Sequence, residues 1–210
     1  MIEFKKNTDL VDYNAAKEYM LSRVSDIISG SESELLWFLE HPDIYTAGTS
    51  AKKSDLILPN KFPVYDAGRG GEYTYHGPGQ RVAYTLLDLN QVYCAKPDLR
   101  DYVSKLENWI INSIGHFGIV GETRSDRVGI WVKDSDGNEE KIAAIGIRVK
   151  KWISFHGISL NVNPNLDNFS GIIPCGLNNF GVTSFEKLGV NASLEEVDAI
   201  LKQEFYKIFS

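Results

Sequence analysis

Apolar side chains recur at helical spacing in three stretches of the chain and gather into shorter, strand-like runs between them. From Asp9 to Gly30, residues Leu10, Tyr13, Met20, Val24, Ile27 and Ile28 share one face of a predicted helix, with Asp9 as its N-cap and Gly30 as its stop. The periodicity is clearest from Pro97 to Phe117, where Leu99, Tyr102, Val103, Leu106, Trp109, Ile110, Ile114 and Phe117 mark one stripe. Asp98 and Asp101 stand at the positive end of that helix dipole. The last helix opens at Ser193, where Glu196 completes a capping box, and it carries Leu194, Val197, Ile200, Leu201, Phe205 and Ile208 on one side.

The continuous run Leu35 to Leu39 (LLWFL) is too short for a helix and reads as a buried strand that delivers His41 and Pro42 to the loop HPDIYTAGTS. Residues 51–62 are polar and form a surface connection. Val64 and Tyr65 then lead into GRGGEYTYHGPGQ (68–80), a loop or irregular ribbon too rich in glycine to be explained by core packing. Arg81 to Leu89 resumes a strand. Val128 to Val132, Ile142 to Val149 and Ile153 to Val162 form an antiparallel meander joined by the turns DSDGN and KKW, and FEKLG (185–189) is a short helical piece. Strands and helices mix without a βαβ alternation or an internal repeat. The predicted fold class is therefore α+β, a mostly antiparallel or mixed sheet with packed helices, in one domain over residues 1–210.

A net charge of -6 disfavours broad attraction to nucleic acid. The only dense basic run is Arg148, Lys150 and Lys151, a solvated turn or a local docking patch. Cys94 and Cys175 have neither CxxC nor Cys/His ligand spacing, so a disulfide framework is not indicated and a reducing cytoplasm is the expected compartment. His41, His116 and His156 form no HxxxH or HExxH pair, so no metal is expected. The start, MIEFKKNTDLVDY, has no apolar signal core, and no apolar run approaches the roughly 18 residues of a membrane span, so a soluble protein without a membrane partner is expected.

Three features carry chemistry. In GIIPCG (171–176), Pro174 and the flanking glycines place Cys175 in a tight turn, where a thiol can serve as a nucleophile at a pocket wall or simply as a small apolar group. Lys141 is the one lysine entering an apolar strand, KIAAIGIRV, and is open to two readings, a proton acceptor or a snorkelling surface residue. The 68–80 loop has no GK[ST] and places Tyr73 where a dinucleotide motif needs its third glycine, so nucleotide binding is not signalled. Gly70 and Gly71, between Arg69 and His76, instead permit close backbone approach to a carbonyl or a thin acyl chain. His76 can be a general acid or base, a donor to an oxyanion, or a capped loop residue.

HPDIYTAG (41–48), GRGGEYTYHGPGQ (68–80), KIAAIGIRV (141–149), FHGISLNV (155–162) and GIIPCGL (171–177) together resemble the octanoyltransferases of lipoate biosynthesis, the lipoyl(octanoyl) transferases. The resemblance runs from about residue 41 to 185 and implies the biotin/lipoate protein ligase fold. It places the nucleophile on Cys175 and its partner on Lys141, with acyl-binding segments at Arg69, Gly70, Gly71, Glu72, Tyr73, Thr74, Tyr75 and His76, at Ala144, Ile145 and Gly146, and at Gly157, Ile158 and Ser159. The implied partners are octanoyl-acyl carrier protein as donor, and lipoyl domains of 2-oxoacid dehydrogenases and the glycine cleavage H protein as acceptors. No cofactor is implied, and a monomer is expected.

That pairing is chemically sensible, because an ordinary thiol is only a few per cent thiolate at neutral pH and a lysine that shares or takes its proton raises the reactive fraction. Attack on the donor thioester gives an acyl-enzyme, and the acceptor lysine then converts thioester to amide, a downhill step that needs no ATP. Lys141 and Ala144 stand three positions apart and on a regular strand point to opposite faces, so the strand must bend, as Gly146 permits, or Ala144 must contribute backbone. The alternatives are an ATP-dependent lipoate or biotin ligase, from which AAIG after Lys141 departs, and a non-catalytic binder of carrier or lipoyl domains. Arg148, Lys150 and Lys151 are a candidate patch for an acidic carrier protein.

Overall fold

The computed structural model describes residues 1–93, 96–134, 136–173 and 180–209. Along the chain the elements are β1 (Glu3–Lys6), α1 (Tyr13–Ser29), β2 (Leu35–Leu39), β3 (Ile44–Ala47), β4 (Val64–Asp66), β5 (Tyr73–His76), β6 (Gln80–Leu86), α2 (Leu89–Val92), α3 (Leu99–Gly115), β7 (Ile130–Lys133), β8 (Glu139–Lys150), β9 (Ile153–Asn161), β10 (Gly181–Val182) and α4 (Leu194–Phe209). Among the described residues these strands make a seven-stranded sheet in the order β1-β2-β6-β9-β8-β10, with β7 on β8, and a second sheet in the order β4-β3-β5. In the larger sheet β1 runs parallel to β2 and β10 parallel to β8, while the remaining pairs are antiparallel.

Local chemistry sets the element ends. The Asp12 carboxylate accepts from the Ala15 N–H and caps α1, one turn later than Asp9, and Gly30 closes the helix at φ 77° with its N–H on the Asp26 and Ile27 carbonyls. Asp98 caps α3 by accepting from Arg100 and Asp101. Ser193 and Glu196 bond reciprocally at the start of α4, as a capping box should. FEKLG makes turns only, because Gly189 at φ 76° reverses the chain after a single turn. The β8–β9 hairpin closes through Lys151 and Trp152, both at positive φ, the geometry of a two-residue I′ turn that matches strand twist.

The alternation along LLWFL shows how the layers stack. Leu36 and Phe38 pack with α3 and α4 through Leu106, Trp109, Leu201 and Phe205, whereas Leu35, Trp37 and Leu39 pack with α1 through Ala16, Met20 and Val24. Both faces are covered, so the run is apolar throughout. On the α4 side Arg81 is buried in β6 and donates from Nε and Nη2 to the Asp198 carboxylate at 2.6 and 3.2 Å, with Lys6 on the same carboxylate. On the other face the second sheet lies beside α1, around Tyr45, Tyr73, Tyr75 and Phe169.

Buried histidines hold the join between the two sheets. His41 Nδ1 lies 2.6 Å from the Val11 carbonyl, so that nitrogen carries the proton, and Nε2 accepts from the Tyr84 hydroxyl at 2.7 Å. His76 sits 5.8 Å from His41, ring to ring, and His156 packs against Tyr84. Burial holds all three neutral, with His41 lowered to about 4, His156 to about 3 and His76 well below its ordinary value. An unfolded chain takes up protons at these positions below about pH 6.5, while the fold does not, so stability is full above that value and is lost as pH falls toward the folded pKa values. Urea denaturation at pH 7 and pH 5 should therefore show a loss of about 2 kcal/mol per histidine. A midpoint unchanged over that interval would show that the join accommodates charged imidazoles.

Candidate active site

The face of the larger sheet opposite α3 and α4 is not covered everywhere. Between α1 and the second sheet, three cross-strand rows run over β6, β9 and β8: Gln80 beside Asn161, then Val82, Ser159 and Ala144, then Tyr84, Gly157 and Gly146. The small residues at the centre of these rows leave a trench, about 13 Å long from the first row to the third at the usual strand rise. Tyr73, Thr74 and His76 roof it, and the cavity is ≈ 340 Å³, within the range of small-molecule sites.

Lys141 reaches this cavity because β8 is bulged. Trp131 pairs with Lys141 but the preceding Ile130 pairs with Ala143, so Ile142 is an extra residue on β8. Ile142 and Ala143 both enter the core beneath α3 and α4, and Lys141 and Ala144 both face the cavity. The bend inferred from the three-residue spacing is present, at Ile142 and Ala143 rather than at Gly146. Gly146 has a different task, since a Cβ there would meet Arg69 Cδ at 2.6 Å.

The amino end of Lys141 is held on its far side. Nζ donates to the Val128 carbonyl at 2.9 Å and lies 5.3 Å from the centre of the Trp131 ring. Gly129 opens the space, because a Cβ at that position would sit 2.3 Å from Lys141 Cε and 2.9 Å from Nζ. At φ 125°, Gly129 also occupies backbone space that suits glycine alone. Arg124 and Arg127 stand nearby, both paired with Glu139, and Arg127 lies over the Trp131 and Phe180 rings.

A chain of neutral hydrogen bonds lines the same end. Asn161 Nδ2 donates to the Thr183 carbonyl, and its oxygen accepts from Gln80 Nε2, which also donates to the Tyr75 carbonyl. Gln80 therefore presents its oxygen to His76 Nδ1 at 2.7 Å, which fixes the proton on that nitrogen. Thr46 Oγ1 accepts from Arg69 and donates toward His76 Nε2 at 3.4 Å. His76 is thus a neutral, fully committed member of a scaffold, not a proton shuttle. Arg69 likewise donates to the carbonyls of Thr46, Gly70 and Glu72, pulling the glycine-rich loop into a roof.

Of the residues expected to bind the acyl group, the segments at 144–146 and 157–159 line the cavity, as does 69–76 apart from Gly70 and Tyr75. Gly70 donates its N–H to the Ile147 carbonyl and staples the loop to β8. Tyr75 points into the small sheet's core and donates to Asp43 at 2.6 Å. Cys175 lies outside the described residues. Val182, beyond it in the chain, pairs with Lys141, and Ile173, before it, donates to the Asp55 carbonyl. Lys150 and Lys151 are exposed at the hairpin tip and Arg148 lies over Phe155, so the basic run sits at the other end of β8, about 30 Å of strand from Lys141.

Sequence reasoning missed Tyr13, Gln80, Tyr84, His156 and Asn161, all of which line the cavity. The alternation Gln80, Val82, Tyr84 was a usable signal once β6 was known to be half covered. His156 carried no such signal. Even-numbered neighbours on β9, Ile158 and Leu160, face the α3/α4 core, yet His156 is at φ 61°, a left-handed conformation costing a non-glycine residue on the order of 1–2 kcal/mol.

The lipoyl protein ligase A/B catalytic domain family matches residues 12–206. An octanoyltransferase of Bartonella tribocorum is 55% identical over 99% of this chain and 87% of its own length. An octanoyltransferase of Wolbachia pipientis is 52% identical, with 100% of both chains covered. Among solved structures, a lipoate-protein ligase A bound with ATP superposes with a TM-score of 0.73 at 16% identity, covering 98% of this chain and 85% of that one. A bipartite lipoate protein ligase from Thermoplasma acidophilum gives 0.70 at 15% identity over 99% of this chain and 84% of its own. The structural likenesses establish the fold, and with the sequence relatives they show that the chain belongs to the lipoyl protein ligase A/B catalytic domain family, among its octanoyltransferases.

Proposed function

We propose that this chain, working as a single catalytic domain, moves an octanoyl group from an acyl carrier thioester to a lysine of a lipoyl domain, through a thioester on Cys175 assisted by Lys141. The observation that carries this reading is the bulge that turns Lys141 into the polar end of an acyl-sized trench, where Val182 pairs with it a few residues beyond Cys175. In the first half-reaction Lys141 takes the Cys175 thiol proton, the thiolate adds to the donor's carbonyl carbon, and the carrier leaves as a thiol by taking that proton from Lys141. In the second, the neutral amine of the acceptor lysine adds to the acyl-enzyme, loses a proton to Lys141, and expels the Cys175 thiolate. Thioester aminolysis is downhill, so no nucleotide enters the scheme. Donor carriers are octanoyl-acyl carrier proteins and acceptors are the lipoyl domains of 2-oxoacid dehydrogenases and the glycine cleavage H protein.

His76 contributes without titrating. His76, Gln80 and Asn161 form a neutral frame, so the field at the reacting carbonyl comes from Lys141, from the other charged side chains of the lining, Arg69, Glu72, Asp126 and Arg127, and from the backbone around them. The Val128 carbonyl and Gly129 orient Lys141 from behind.

Transfer of octanoyl from its carrier to a purified lipoyl domain, followed by mass spectrometry without ATP, tests this reading. Lys141→Ala should lower kcat/KM by about 10²–10⁴-fold, the usual contribution of a general acid–base group. Transfer that appears only on addition of ATP and a free acid would favour a ligase. Gly129→Ala should lower kcat by about a hundredfold with little change in donor KM, because it displaces the Lys141 amine rather than the acyl trench. A Gly129→Ala protein with the parental kcat would show that Lys141 is not held through that contact.

A further inference from the structure

The end of the trench away from Lys141 is closed by an unusual residue. His156 is 3% exposed and lies within β9, with its φ at 61°. With ordinary strand geometry its ring would follow Ile158 and Leu160 into the α3/α4 core. The left-handed backbone instead brings it to the trench side, where it stands edge to face with Tyr84 at 5.7 Å and stacks on Phe155 at 5.4 Å. The next residue shares the distortion: a Cβ on Gly157 would lie 2.2 Å from the Ala83 carbonyl oxygen, so only glycine fits there. Strain kept at a buried, pocket-lining position points to a task for the side chain.

The wall is braced from all sides. Tyr84 donates to His41, and the Tyr13 ring packs on His41 at 5.4 Å. The Arg69 side chain lies close above Gly146, in the last cross-strand row. His156 itself hydrogen-bonds to the Ala67 backbone, which fixes the plane of its ring. Neutral and flat, it presents an aromatic surface of the kind a terminal methyl can meet.

Resting on the acyl transfer proposed above, we propose that His156, braced on Tyr84, is the end wall of the trench and sets the longest acyl chain the enzyme accepts. Chains that end before the wall bury every methylene. Longer ones must fold back or displace the imidazole. A smaller residue at 156 that tolerates a left-handed backbone should open the trench without strain, and glycine and asparagine both satisfy that condition.

The test compares the parent with His156→Gly and His156→Asn, each checked for a cooperative thermal transition. Transfer from octanoyl, decanoyl and dodecanoyl carrier proteins is measured, together with binding of octanoate and dodecanoate to the same proteins. In the glycine variant the dodecanoyl-to-octanoyl ratio of kcat/KM should rise by on the order of ten- to a hundredfold, as expected when two to four methylenes gain a dry site. Asparagine should give a smaller rise, and the dodecanoate-to-octanoate affinity ratio should move in the same sense. Octanoyl transfer by the parent with both ratios unchanged in the variants would overturn the wall and leave the transfer reading intact. A shifted affinity ratio in proteins that transfer no acyl group would uphold the wall and overturn the transfer.

Discussion

One extra residue in one strand is the constraint on which the site depends. β8 must fill the core under α3 and α4 and also supply a polar end to the cavity on its other face, and a regular strand cannot put Lys141 and Ala144, three positions apart, on one side. The bulge at Ile142 resolves this by sending two consecutive side chains into the core. Core packing and the placement of Lys141 are therefore the same fact: any change that straightens β8 moves an apolar residue out of the core as it turns Lys141 away. Bulges next to active sites recur for this reason, since they re-aim a side chain while leaving the rest of the ladder paired.

The trench that follows from it is built by omission. Ser159, Ala144, Gly157 and Gly146 take the positions where larger side chains would have met the roof. Around this apolar space the polar groups are joined in a directed chain from Arg69 through Thr46, His76 and Gln80 to Asn161, with the His76 imidazole uncharged. A fully hydrogen-bonded frame of this kind is rigid. It also couples the site to the join between the sheets, because Tyr84, which His41 braces, and His156 belong both to that join and to the trench wall.

Much of this was legible in the sequence wherever a residue's role follows from its neighbours in the chain. Asp98 as a helix cap, the Ser193 and Glu196 box, Gly30 as a stop and LLWFL as a strand covered on both faces all rest on local chemistry. The motifs at 69–76, 144–146 and 157–159 converge on one cavity, and the spacing of Lys141 and Ala144 already demanded a bend. What depended on distant partners was not legible. The second sheet arises because Tyr73 to His76 pairs with Ile44 to Ala47 rather than remaining a loop. Tyr75 turns away from the cavity because Asp43 and a cluster of aromatics claim it, and the left-handed turn at His156 has no counterpart in its composition. The basic run at Arg148, Lys150 and Lys151 is open in the sequence to two readings, a solvated turn or a docking patch, and β8 carries it to the hairpin end away from Lys141.

The most direct test of the account is the mass of the intact protein after incubation with octanoyl carrier protein in the absence of ATP. The account predicts one octanoyl adduct on the parent chain, released by hydroxylamine and lost in Cys175→Ser. An octanoylated lipoyl domain formed by the Cys175→Ser protein at the parental rate, with no adduct on the parent, would contradict it.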